Sequence, residues 1–324
     1  MMHTFINSPL QIGSLTLPHR LIQGPLAGYS CAPFRELFYL YTPPAYCVSE
    51  MSSAVDILHK HTAQSRYLYR SPIEKYLAYQ ISGNDPHTLS DAAVKLQSLG
   101  ADIIDINCGC PKTKIRKKGA GSALLEDPKK LIDIISRVRA AINIPLTVKI
   151  RIQNNEKDVI LAKQIEEAGA DALIVHGRRW TDDYDIPCNW HHIANIKKCI
   201  NIPVIVNGDI NNESNLKNAL EASKCDGFMI SRAGTGKPWL YQDLLQQQTA
   251  HVSFYERLKL FLIHLEGLSH LENKHKAVLQ SKSLVRYYFN KQLDEQQLQQ
   301  FYQLDSLIDI KEFLAMSSHT PLYY

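Results

Sequence analysis

Through residue 250 the chain alternates short apolar runs, rich in β-branched residues, with stretches whose apolar positions recur every three or four residues. The first pattern predicts buried strands and the second amphipathic helices. The runs fall at Leu21–Gln23, Tyr46–Glu50, Leu77–Ile81, Asp102–Ile106, Leu146–Ile150, Ala172–His176, Val204–Asn207 and Gly227–Ser231. Helical spacing covers Pro33–Tyr41, Pro86–Leu99, Pro128–Ala141, Glu156–Ala168, Trp190–Lys198, Glu213–Ala222 and Pro238–Gln246. Several of these open on proline or an acid, and Gly100 and Gly169 close two of them, as helix ends favour. Eight strands, each followed by a mostly helical segment, predict an α/β fold, a (β/α)8 TIM barrel. A doubly wound open sheet is the rival, but no G-x-G-x-x-G turn follows the first strand. After residue 250 the strands stop, while Leu258, Phe261, Leu262, Leu265 and Leu268, and then Leu284, Val285, Tyr288 and Phe289, keep a helical period. The predicted organisation is a barrel domain over residues 1–250 and a small C-terminal helical domain over 251–324.

Chemistry in such a barrel gathers where the strands end. Polar residues arrive there one after another: Ser49 and Glu50, Gln80, Asn107 and Cys110, Lys149, His176, Asn207-Gly208-Asp209, and Ser231-Arg232. Each alone has an ordinary explanation. A buried thiol, a solvated lysine at a strand end, a hydrogen-bonded core histidine and an Asn-Gly turn are all common. Their joint arrival at one rim argues for a shared site. Cys110 stands between Gly109 and Pro111, on a stiff turn that can aim its thiol at a pocket. Barrels commonly hold a phosphate at the loops after strands seven and eight. Gly208, Gly234 and Gly236 permit close backbone approach there, and Arg232 offers a planar fork of donors. A ligand with a phosphate tail is expected, its reactive end near Gln80, Lys149 and His176.

Composition narrows the class. Hydrophobic residues make up 45% of the 324, enough for a large core. No apolar run approaches the roughly 18 residues that span a bilayer, and Met1–Gly13 lacks the pattern of a secretory signal, so a cytoplasmic protein without membrane attachment is expected. The seven cysteines form no paired framework, which suits a reducing compartment, and Cys108 and Cys110 have no second pair at zinc spacing, so no metal is expected. A net charge of +4 does not by itself establish nucleic-acid binding; its distribution matters more.

Taken together, several motifs carry a resemblance. They are Gly24-Pro25-Leu26-Ala27-Gly28 with Ala32-Pro33-Phe34-Arg35, Ser49-Glu50-Met51, Asp105-Ile106-Asn107-Cys108-Gly109-Cys110-Pro111, Gly121-Ser122-Ala123-Leu124-Leu125, Lys149-Ile150-Arg151, His176-Gly177-Arg178, Asn207-Gly208-Asp209 and Lys237-Pro238-Trp239. Across nearly all of residues 10–290 the chain resembles the flavin-dependent tRNA-dihydrouridine synthases, most closely their bacterial B-type branch. The resemblance implies FMN as cofactor, NADPH as its reductant and a D-loop uridine of tRNA as substrate, pointing toward position 17. Carried across by motif, Pro25, Leu26 and Ala27 would line the flavin, Gln80 and Lys149 would meet its polar edge, and His176 would also contact it. Asn207, Gly208 and Asp209, with Ser231 and Arg232, would hold the ribityl phosphate. Cys110, not Cys108, falls on the family's catalytic cysteine. Two positions depart from the family pattern: Leu26 replaces the usual Met, and Ser231 replaces the glycine usual before the arginine. Serine would be strained at Ser231 if that position needed a positive φ.

The chemistry suits these residue types. Saturating the C5=C6 bond of uracil needs a hydride on one carbon and a proton on its neighbour. No side chain delivers hydride, whereas reduced flavin does. A thiol of ordinary pKa, about 8.5, stays protonated at neutral pH and can protonate C5. Lys112, Lys114, Arg116, Lys117 and Lys118 leave directly from the cysteine turn with no acid nearby in sequence, and Arg178 and Arg179 extend the same rim, which suits an RNA backbone. In the tail, Lys282 and Arg286 stand one helical turn apart on one face, and the resemblance implies that this region grips tRNA. A monomer is the default expectation. Three rival functions share parts of the pattern: an FMN barrel acting on a small molecule, a Schiff-base enzyme using Lys149, and a catalytically silent RNA-binding barrel.

Overall fold

The computed structural model describes residues 2–317. A short helix α1 (Met2–Ile6) and an antiparallel hairpin, β1 (Leu10–Ile12) and β2 (Leu15–Leu17), come first. The remaining strands are β3 (Leu21–Gln23), β4 (Cys47–Val48), β5 (Ser52–Ser53), β6 (Leu77–Ser82), β7 (Ile103–Cys108), β8 (Leu146–Arg151), β9 (Ala172–His176), β10 (Val204–Asn207) and β11 (Gly227–Ile230). Except for β5, which pairs only with the end of β6, these close into a parallel barrel of eight: β3 pairs β4, β4 pairs β6, the order runs on to β11, and β11 pairs β3. The (β/α)8 barrel expected from the strand count is therefore the fold.

Helices α2 (Ala32–Glu36), α3 (Ala54–His59), α4 (Pro86–Ser98), α5 (Thr113–Arg116), α6 (Pro128–Ala141), α7 (Lys157–Glu167), α8 (Trp190–Lys197), α9 (Glu213–Ser223) and α10 (Leu240–Gln246) lie in the connections and after β11. Their starts follow from the sequence. Asp85 accepts from the Thr88 N–H at 2.8 Å and Asp127 from that of Lys130 at 3.2 Å, each just before a proline that needs no intrahelical donor. Helices α11 (Phe254–Leu271), α12 (Lys274–Tyr288), α13 (Glu295–Tyr302) and α14 (Leu307–Ser317) follow. Residues 318–324 of the predicted helical segment, like Met1, lie outside the described residues.

Two elements differ from the periodicity reading. The second strand keeps only Cys47 and Val48. Ser49 interrupts it: its Oγ donates to the Glu50 carbonyl at 3.0 Å and accepts from the Gln80 N–H at 3.1 Å, so a side chain takes over from the backbone ladder. The helix expected over Pro33–Tyr41 tightens after Glu36 into a 3-10 turn, Leu37–Leu40. The β1–β2 hairpin and α3 were not anticipated, although Leu10-x-Ile12 and Leu15-x-Leu17 alternate around a Gly-Ser turn.

The apolar interior has three parts. One lies between barrel and helices and includes Cys108, Ile134, Ile150 and Leu173. A second fills the lower lumen, where Tyr46, Ala78, Ile103, Ala172, Ile174, Ile205 and Met229 meet Leu10, Ile12 and Leu17 of the hairpin, which stops the N-terminal end. The third packs α11–α14 around Phe261, Tyr288 and Phe301 and takes in Cys31, Leu37 and Trp239 from the barrel side. With apolar side chains filling the bottom of the lumen, the polar residues of the same strands occupy its top.

Candidate active site at the C-terminal mouth of the barrel

Strand alternation places every second residue in the lumen. In the parallel register Gln80 is opposite Asp105, Asp105 opposite Thr147, Asn107 opposite Lys149, and His176 opposite Asn207. Asn107 faces inward, so Cys108 faces outward into the helix layer, where it is fully buried and its thiol is pushed far up by desolvation. Two residues on, Cys110 is partly exposed and lines the mouth.

A chain of four hydrogen bonds runs from Thr147 to that cysteine. Thr147 Oγ1 and Gln80 Nε2 donate to the two carboxylate oxygens of Asp105 at 2.6 and 2.7 Å. The Gln80 amide is thereby oriented, and its Oε1 accepts from Asn107 Nδ2 at 2.8 Å. Asn107 Oδ1 then accepts from the Cys110 N–H at 3.0 Å. Below the turn, Ser122 donates to the Cys110 carbonyl from both its N–H and its Oγ, each at 3.0 Å. Asp105 has no solvent access, and burial raises its carboxyl to about 6 against the bonds from Gln80 and Thr147 and the charge of Lys149. In the sequence Asp105 belongs to a longer motif and carries no role of its own. A lone acid inside an apolar strand is the signal that could have found it.

Across the mouth, Lys149 donates to Asn207 Oδ1 at 2.9 Å, and Asn207 Nδ2 donates to the Met229 carbonyl at 2.9 Å. Burial pushes the Lys149 pKa down to about 8 against the pull of Asp105. His176 is driven down to about 2, by burial first and then by Lys149, Arg151, Arg178 and Arg232. Its ring is neutral, and Nε2 faces Arg178 Nη1 at 3.4 Å, which leaves the proton on Nδ1. The cavity these groups line holds about 720 Å³, within the range that cofactor sites occupy. Pro25, Leu26 and Ala27, which follow β3, line it, as do Gly208 and Asp209 after β10, Ser231 and Arg232 after the adjoining β11, and Tyr184.

Several residues act differently from the expectation. Arg178, read as part of the RNA-facing rim, is 2% exposed. Its Nη2 donates to both Asp209 oxygens at 2.7 and 2.9 Å and to the Tyr184 carbonyl, and its Nε donates to the Ile186 carbonyl. It turns inward because a carboxylate and a curled loop satisfy its whole fork. The Asp209 carboxylate, engaged with Arg178 and the Cys188 N–H, is not a phosphate donor; only its backbone remains for that task. Ser231 has φ −114°, so the position does not need the positive φ that glycine would supply. Gly208, at φ +109°, does require glycine: a Cβ there would come within 2.3 Å of Cys188 Sγ and 2.8 Å of His176 Cδ2. Gly236 serves the tail, since a Cβ there would meet the Tyr287 backbone at 2.6 Å. Arg232 is exposed, stacks on Tyr184 at 3.9 Å, and has no carboxylate partner among the described residues.

Lys112, Lys114 and Lys117 are exposed beside Cys110. Arg116 is not part of an uncompensated run: Glu126 folds back to pair with it at 2.7 Å. In the tail, Lys282 lies 3.9 Å from Asp305 and Arg286 3.8 Å from Glu295, both at the outer edge of ion-pair distance. The same helix, α12, contributes Tyr287 to the cavity lining. Helices α11 and α12 are tied to the rim by Arg66, which donates to Glu50 at 2.6 Å, to Gln280 at 2.8 Å and to Glu272. No sequence signal marked Tyr287 or Arg66, because both depend on how the tail returns. Arg151, by contrast, follows Thr147 and Lys149 on one strand face and lines the mouth as that spacing implies. No helix among the described residues is long and apolar enough to cross a membrane, and no cluster of three His, Cys, Asp or Glu suits a metal.

Comparison with known proteins agrees with this architecture. The family model described as Dihydrouridine synthase (Dus) matches residues 22–318. The chain is 39% identical over 241 residues to tRNA-dihydrouridine synthase B of Pseudomonas aeruginosa, covering 73% of this chain and 72% of that protein. It is 38% identical to the probable tRNA-dihydrouridine synthase 1 of Synechocystis sp., over 73% of this chain and 67% of that one. It is 32% identical over 305 residues to tRNA-dihydrouridine synthase B of Shewanella oneidensis, covering 92% and 94%. Among solved structures, an old yellow enzyme homologue from Zymomonas mobilis superposes with a TM-score of 0.56 at 14% identity, covering 75% of this chain and 93% of that one. Morphinone reductase in complex with tetrahydroNAD gives 0.54 at 12%, covering 78% and 93%. These structural likenesses speak to the barrel alone. A family match that begins in the first barrel strand and runs through the last described helix, with relatives above 30% identity along most of both chains, makes this chain a member of the dihydrouridine synthase family.

Proposed function

We propose that the protein is a tRNA-dihydrouridine synthase that uses FMN and NADPH to reduce the C5=C6 bond of a D-loop uridine, with Cys110 as proton donor. The observation that carries this reading is the convergence at one mouth of a braced, partly exposed thiol, a cationic and amide-lined cavity, and a lysine-rich segment leaving the thiol's own turn. The donor set suits a flavin mononucleotide. Arg232 keeps an uncompensated charge for a phosphate, with backbone at Asn207-Gly208-Asp209 beside it. Lys149 uses one of its three donors on Asn207 and keeps the others for an electron-rich ring edge, with Gln80 and His176 alongside. Pro25, Leu26 and Ala27 offer a wall for the ring face. When bound, reduced FMN supplies the hydride that reaches C6 of the uracil. Cys110 supplies the C5 proton, and its Asn107 and Ser122 braces hold Sγ at the mouth. Arg178 neutralises Asp209, so no free carboxylate opposes the phosphate. The helices after residue 250 would grip the tRNA, and a cytoplasmic location goes with that substrate. Mapping dihydrouridine in tRNA from cells lacking this protein tests the reading: one D-loop position, 17 first, should revert to uridine. A full set of dihydrouridines would refute it.

Two further results are expected. The Lys149 ammonium favours an anionic reduced flavin, so kcat/KM should fall on an alkaline limb as that proton leaves. Burial lowers the Lys149 pKa to about 8, which puts this limb on the alkaline side of neutrality. His176 is neutral throughout and adds no limb near neutrality. Asp105→Asn can still accept from Gln80 and donate to Thr147, keeping the cysteine positioned while removing the charge that holds the Lys149 proton. Its limb should move to lower pH, and a limb left in place would contradict the assignment. Separately, replacing Lys282 and Arg286 together by Ala should weaken tRNA binding several-fold and leave flavin content unchanged. Equal affinity in a filter-binding titration would remove this face of α12 from the RNA path.

A further inference from the structure

The indole of Trp180 is 38% exposed on the loop after β9. The Arg116 guanidinium lies over its ring at 3.6 Å. Arg116 is itself fixed by Glu126 at 2.7 Å and by Ser122 Oγ at 3.0 Å, and that hydroxyl donates to the Cys110 carbonyl at 3.0 Å. From the other side, Arg151, which lines the cavity, donates to the carbonyl of Arg179 at 2.8 Å and so holds the residue before Trp180. A flat aromatic surface is thus anchored on both flanks at the edge of the mouth, on the thiol's side. Nothing in the reduction chemistry uses it.

We propose that Trp180 is a stacking platform for the base adjoining the uridine that enters the cavity, an inference that rests on the tRNA substrate proposed above. A uridine can reach a buried reactive site only by leaving its stack, which strips one face from its neighbour. An aromatic ring at the mouth replaces that lost contact, and because every base has a π-face it does so without reading sequence. The surroundings suit a nucleotide chain. Lys112, Lys114 and Lys117 are exposed beside the stack and have no ion-pair partner among the described residues. The charge of Arg116 is already met by Glu126, so its role toward the indole is to hold the ring flat. Asp182 is paired with Arg179, while Asp183 and Asp185 lie further along the loop toward Tyr184. The backbone path is therefore expected on the lysine side.

The test is a titration of the full chain, flavin-loaded, with tRNA lacking dihydrouridine, comparing wild type with Trp180→Ala and Trp180→Phe. Flavin content and thermal midpoint report an intact fold. Trp180→Ala should bind tRNA about ten-fold more weakly, and Trp180→Phe, which keeps a π-face, within about three-fold of wild type. Equal binding by Trp180→Ala overturns the inference. So does an equal loss in both variants, which would mean that the indole only shapes the loop, or a rise in the KM for NADPH with tRNA binding unchanged. If the wild-type protein neither binds nor reduces tRNA, the proposed function falls as well; if it does both and Trp180→Ala binds tRNA as tightly as wild type, this inference alone fails.

Discussion

Cys110→Ala should purify with its flavin and still be reduced by NADPH, yet lose uridine reduction by a factor of about 10² to 10⁴, the usual worth of a positioned general acid. Cys110 lines the cavity through its side chain, whereas its backbone carries the bonds to Asn107 and Ser122. Removing Sγ therefore leaves the turn intact, and the loss should appear in kcat more than in KM for tRNA. Cys108 is the internal control. It is fully buried in the helix layer, so Cys108→Ala should cost packing and little turnover. Rapid-quench measurement of dihydrouridine formation separates the cases. Normal turnover in Cys110→Ala would remove the acid assignment.

Arg178→Met should destabilise the fold by about 3 kcal/mol and deplete bound flavin. The guanidinium is almost wholly buried, and its fork meets Asp209 and two loop carbonyls. Taking away the buried partner leaves two loop carbonyls without their donor and the Asp209 carboxylate, 27% exposed, without its counter-charge. The Arg178 bonds hold Asp209 in a left-handed backbone, φ +59°, which is free to relax once they are gone. Its freed carboxylate would also face the site proposed for the phosphate. Lys at 178 would restore charge without the planar fork and should recover only part of the loss. Urea unfolding with flavin quantitation on the same preparation measures both effects. Wild-type stability and full flavin content in Arg178→Met would contradict this role.

The barrel could be read from the chain because its strands are short β-branched runs bounded by turn residues. Leu21–Gln23, Ala172–His176 and Val204–Asn207 end where the pattern says they should. The rim was legible for the same reason: a polar residue closing an apolar run has nowhere to point except the mouth. What stayed hidden depends on pairings distant in sequence. Arg178 and Arg179 look alike in a string of letters, but one finds Asp209 and turns inward while the other stays at the surface. The basic run after Cys110 lacks an acid locally, yet Glu126 returns to neutralise Arg116. Gly236 looks like a phosphate glycine until Tyr287 arrives against it from α12.

The most direct measurement is an anaerobic half-reaction. The purified protein is reduced with one equivalent of NADPH and mixed with tRNA that lacks dihydrouridine, while flavin absorbance and dihydrouridine are followed together. The expected result is reoxidation of the flavin with one dihydrouridine formed per flavin, and no such reoxidation in Cys110→Ala. A colourless protein, or a reduced flavin that tRNA leaves untouched, would contradict the assignment of this barrel mouth to uridine reduction.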